Sequence, residues 1–69
     1  MNYKILYADD ITPESALKML EMQVDYWLKQ GYVPQGGVSV IRYPSQLGDN
    51  YIATQAMINK NWLHKQGFR

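Results

Sequence analysis

The order of residue patterns predicts an α+β domain of β-α-β-β type. We expect a three-stranded, mainly antiparallel sheet with one long helix on one face and a short helical turn at the C-terminus. Three observations carry this. The chain opens on an aromatic and β-branched run, Tyr3 to Ala8, of the kind that favours strands. A helix start at Thr12-Pro13-Glu14-Ser15 leads into apolar residues at helical spacing. Two more runs that read as extended follow, set apart by glycine- and proline-containing links.

In the first strand, Tyr3, Ile5 and Tyr7 share one face and Lys4, Leu6 and Ala8 the other. Both faces carry apolar weight, as in a central strand. Asp9 and Asp10 end it. Thr12 then caps a helix, Pro13 takes its first position, and Glu14 lies near its positive end. The helix should run from Pro13 to about Gln30. Leu17, Leu20, Val24, Trp27 and Leu28 form its buried stripe, and Gly31 supplies a left-handed cap.

Tyr32-Val33-Pro34-Gln35 reads as a link, with Gly36-Gly37 making a tight, bulged entry to a second strand at Val38 to Tyr43. Pro44 to Asn50 is a loop by composition. Tyr51 to Ile58 reads as the third strand, although alanine, glutamine and methionine favour helix. The competing helix, Ala53 to Lys65, would have a patchy apolar face. The core is expected to include Ile5, Leu17, Leu20, Val24, Trp27, Val38, Val40, Ile52 and Ile58. Residues 1–60 form the single domain and 61–69 a basic-aromatic tail.

Seven basic and six acidic side chains give a net charge of +1, which is neither a nucleic-acid-binding balance nor an acidic mimic of DNA. There is no cysteine and one histidine, His64. Disulfides and thiolate metal sites are therefore excluded. No apolar run approaches the ~20 residues that span a bilayer, and the first residues lack the apolar stretch of a signal peptide. These features predict a cytoplasmic protein without membrane contact.

Little catalytic chemistry is on offer. Asp9 and Asp10 point apart on a strand and read as turn and capping residues, with a weak divalent-cation site as the sharper alternative. Gly31 and Gly36-Gly37 lack the lysine and hydroxyl residue of a phosphate loop. Ser15, Ser39 and Ser45 have no histidine and acid at a spacing that implies a triad. We expect no enzyme, no cofactor and no metal.

A short chain has a thin core, and exposed apolar surface marks an interface. Met19, Met22 and Tyr26 make a second apolar stripe on the helix. The sheet face away from the helix is expected to carry Tyr7, Ile41, Tyr43, Tyr51 and Met57. The predicted interface is thus Met19, Met22, Tyr26, Tyr43, Tyr51 and Met57. The expected partner is a second copy in a homodimer, and beyond it a larger protein. A nucleic-acid-binding module is the alternative. The tail interleaves cations with rings, and Lys60, Trp62, Lys65 and Arg69 would meet phosphates and bases.

The segments Gly31-Tyr32-Val33-Pro34-Gln35-Gly36-Gly37-Val38 and Gln55-Ala56-Met57 resemble those of the small bacterial and phage proteins grouped as domain of unknown function 1737. The likeness covers roughly residues 3–58. Tyr32 stands where that family often has tryptophan. The resemblance implies a strand at 51–58 and a bacterial or phage accessory protein that binds a larger host or phage protein. It carries over no catalytic residue.

Overall fold

The computed structural model describes residues 2–65, with side chains as far as residue 62. Strand β1 (Tyr3–Asp10) leads to helix α1 (Pro13–Lys29), then to β2 (Tyr32–Ser45), β3 (Gly48–Asn59) and a short helix α2 (Lys60–Lys65). The sheet order is β1-β3-β2 and both pairings are antiparallel. The fold is thus the expected α+β arrangement, with β3 in the centre and one helix packed on the sheet.

The helix begins as its sequence dictates. Thr12 is extended, and its Oγ1 accepts a hydrogen bond from the Ser15 N–H at 3.2 Å. This satisfies one of the amides that a helix start leaves without a partner. At the other end Gly31 has φ +92°, a conformation that costs any side-chain-bearing residue about 1–2 kcal/mol. Its carbonyl oxygen accepts from the Lys60 N–H at 2.9 Å. The helix terminus is thereby tied to the end of β3, where Asn59 Oδ1 accepts from the Asn61 and Trp62 amides that open α2.

The strands are longer than their composition indicated. β1 continues through Asp9 and Asp10, which pair with Ile52 and Tyr51. β2 absorbs the expected link, β2 and β3 together take up the expected loop from either side, and the chain reverses over residues 46–47. The reason lies in the ladder. Once β3 is central, each flanking residue gains a backbone partner by staying extended, which outweighs weak local preference.

Residues 51–58 are strand, and the competing helix does not form. Tyr51, Ala53, Gln55 and Met57 alternate toward α1, and Ala53 and Met57 are fully buried. With Ala8 and Ala16 they let helix and sheet approach closely, and Leu6 and Leu20 fill the space between. Helix-favouring residues are here used for their size, and burial overrides propensity.

This packing corrects the expected core. Ile5 is 62% exposed and Ile52 is only partly buried, because the odd positions of β1 and the even positions of β3 face away from α1. Ile58 is buried, but outside the cluster under the helix. Leu17, Val38 and Val40 are exposed as well. α1 lies over β1, β3 and the first residue of β2, Tyr32, and leaves the inner face of β2 uncovered from Val38 onward. A helix about 10 Å wide covers two strands spaced about 4.8 Å apart, and the third extends beyond it.

Candidate functional site: a bare sheet face and a bulged edge

The sheet face opposite α1 is built by pairing. Ile5 lies beside Ala56, Tyr7 beside Thr54, and Ile41 beside Ile52. No described element covers the middle of this face. Ile5, Tyr7 and Ile41 are 62%, 66% and 58% exposed, and Tyr3 is 47% exposed. At roughly 200 Å² per large side chain, these four alone present on the order of 500 Å² of largely apolar surface.

A polar group closes one end of the face. Tyr43 Oη donates to Asp9 Oδ2 at 2.6 Å, and Asn50 Nδ2 reaches Asp9 Oδ1 and Tyr43 Oη, each at 3.4 Å. The carboxylate acceptor holds the Tyr43 phenol above its ordinary value of 10.0, while the Asn50 contact works the other way. Asp10 turns elsewhere, its Oδ1 accepting from the Ile11 N–H at 2.7 Å. The two aspartates thus point apart, one holding a tyrosine and one a turn. Among the described residues no three histidine, cysteine or acidic side chains gather to hold a metal ion.

The second feature is the edge of β2. Gln35 pairs with Ala56 and Ser39 with Thr54, so Gly36, Gly37 and Val38 stand against Gln55 alone. Gly36 takes φ +76° there. The bulge leaves carbonyl groups off the ladder, and the buried Gln55 amide answers them. Its Nε2 lies 3.3 Å from Gln35 O, 3.2 Å from Gly36 O and 2.9 Å from Ala56 O. Beside it a groove of about 340 Å³ opens between α1 and β2.

The predicted interface residues fall in three places. Met19, Met22 and Tyr26 are exposed on the flank of α1 turned away from that groove. Tyr43 lies on the bare face, within the Asp9 cluster. Tyr51 and Met57 do not: Tyr51 packs against the core and Met57 is 0% exposed beneath α1. Both belong to the row of β3 that faces the helix, so their assignment to an exposed surface is corrected. One flat contact cannot include both the helix flank and the bare face, because they lie on different sides of a two-layer domain.

Sequence reasoning placed Ile5 and Ile52 in the core, whereas both lie on the bare face with Tyr3 and Tyr7. The signal that finds them is the small-residue row Ala8, Ala16 and Ala53, which marks where helix and sheet approach. Of the tail residues, Lys60 is exposed and Trp62 half-buried at the start of α2. The Lys65 side chain and Arg69 lie outside the described residues. Elsewhere, Lys4 Nζ sits 4.1 Å from the Trp27 ring centre, and Trp27 stacks edge-on with Tyr26 and Tyr32 at 5.1 and 5.4 Å. Among the described residues no helix is long and apolar enough to cross a membrane. Compared with protein-family models, curated proteins and solved structures, the chain matches none.

Proposed function

We propose that this protein is a non-catalytic protein-contact module that pairs with a second copy through its bare sheet face and acts by binding a larger protein. The observation that carries the reading is the exposure of Ile5, Tyr7 and Ile41 together on one face. A stable interface takes about 800 Å² from each partner. The four large side chains of this face supply more than half of that, and their neighbours supply more. Two such faces stacked about 10 Å apart would form a sandwich with the helices outside. A two-fold axis needs only this one self-complementary patch.

The resemblance of the glycine-glycine-valine and glutamine-alanine-methionine segments to small bacterial and phage proteins supports an accessory role of this kind, in the cytoplasm. The nucleic-acid alternative rests on the composition of the tail alone. Salt-dependent binding of single-stranded DNA, lost on deletion of residues 61–69, would favour it instead.

The chain has no cysteine, so a single introduced thiol reports cleanly on the contact. Thr54, between Tyr7 and Ser39 in the ladder, marks the middle of the bare face. Thr54→Cys should give a covalent dimer with a short bis-maleimide. Lys18→Cys, on the exposed side of α1, should not. Equal cross-linking of both variants, or none at Thr54→Cys, would count against pairing through this face.

A further inference from the structure

We propose that the groove between α1 and β2 receives an extended segment of a partner protein, which adds as a fourth strand to β2 and sets a lysine or arginine against Glu21 and Asp25. This rests on the reading of the chain as a protein-contact module, but it uses a surface separate from the bare sheet face.

Three features converge there. First, β2 is an edge strand, and an unpaired edge is a template for another chain. The bulge at Gly36-Gly37 and the missing N–H of Pro44 limit that template to Ser39–Tyr43. A five-residue strand of about 17 Å fits this run.

Second, the inner face of the same strand is open from the bulge onward. Val38 and Val40 are 50% and 43% exposed because α1 covers β1 and β3 instead. Val38, Leu17 and Val24 wall the groove, and Gln55 lies at its base. The Gln55 amide is already committed to the bulge carbonyls, which fixes the groove's shape. A strand laid along β2 would direct alternate side chains toward this groove, the way main-chain pairing and side-chain pockets are combined in strand addition.

Third, charge selects the occupant. Glu21 and Asp25 rim the groove one helical turn apart, and the one cation on the same row of β2, Arg42, is paired with Asp49 at 3.5 Å. Pairing β2 with its own copy across a two-fold axis would turn two such acidic rims toward each other. Nucleic acid would bring phosphates to the same carboxylates. An extended segment alternating apolar and basic residues meets the walls with the first kind of side chain and the rim with the second. Such complementarity gives specificity and association rate more than affinity.

The test uses the full chain and a fluorescein-labelled synthetic peptide, Lys-Val-Arg-Val-Lys-Val, followed by fluorescence anisotropy at low salt. The basic peptide should bind, and more weakly as salt rises. An acidic counterpart with glutamates in place of its cations, and a version N-methylated at alternate amides, should each bind about tenfold more weakly or worse. The double variant Glu21→Gln/Asp25→Asn should lose a similar factor for the basic peptide while keeping its sedimentation behaviour. Equal binding of acidic and basic peptides, or an unchanged affinity in the double variant, would overturn the proposal. So would a double variant that changed self-association without peptide binding, since the groove would then belong to a second copy. Repeating the titration on Ile5→Glu separates this site from pairing through the bare face, because Ile5 is exposed on that face and lies on β1, at the other edge of the sheet from the groove.

Discussion

The side-chain amide of Gln55 donates to the carbonyl oxygen of Gly36 at 3.2 Å, across the point where β2 carries three residues against one of β3. The bulge and the glutamine are two halves of one device. Gly36 provides the φ of +76° that the extra residues need, and Gln55 satisfies the carbonyls they leave over. Gln55 is also the one buried polar residue among those described, and no buried side-chain polar atom there lacks a partner.

Removing that amide should therefore cost more than its size suggests. Gln55→Leu keeps most of the volume but leaves the Gln35 and Gly36 carbonyls without this donor. The expected loss is about 1–3 kcal/mol, measured by urea denaturation. Gly36→Ala should cost about 1–2 kcal/mol from backbone strain alone, since open space surrounds the added methyl. Because both act on one bulge, the double variant should lose less than the two single losses together.

A second pair of variants checks the orientation of the sheet. Met57→Ala should destabilise the domain by about 2–5 kcal/mol, the range for emptying a packed core site. Ile5→Ala, measured at low concentration where the chain is monomeric, should change stability by no more than about 0.5 kcal/mol, as for other surface sites. The reverse order would mean that α1 covers the other face.

These two residues also show how far the sequence could be read. The order of elements was legible, because Thr12-Pro13, the apolar spacing of α1 and Gly31 are local signals that act within a few residues. The strand at 51–58 was legible by alternation, against its propensity. The facing of the sheet was not. Ile5 and Leu6 are both apolar, and so are Ile52 and Ala53, so alternation alone fits either side. What decides is the depth available under α1, where alanine fits at Ala8, Ala16 and Ala53 and isoleucine does not. The bulge was readable from Gly36-Gly37, but its partner was not, since Gln55 lies 19 residues from Gly36 and is joined to it only through the ladder. The Asp9–Tyr43 contact spans 34 residues and was hidden for the same reason.

That contact gives a prediction in pH. The Asp9 carboxylate raises the Tyr43 phenol above 10.0. The hydrogen bond therefore stabilises the fold fully below the unfolded value near pH 10, and its contribution is lost as pH rises through the higher folded value. Ultraviolet titration of the six tyrosines should contain a late component assigned to this residue by its loss in Tyr43→Phe. Asp9→Asn should move that component back toward the ordinary value. A component unmoved by Asp9→Asn would show that the carboxylate is not its cause.

Sedimentation across a concentration series from about 5 to 200 μM, which brackets ordinary weak interface affinities, decides whether the bare face pairs. The full chain should shift from the 8.0 kDa of one chain toward twice that mass. Ile41→Glu, which places a charge on the bare face beside Ile52, should stay monomeric throughout while keeping its fold by circular dichroism. A full chain that remains at 8.0 kDa at ~100 μM, or an Ile41→Glu variant that pairs as readily as the parent, would contradict pairing through this face.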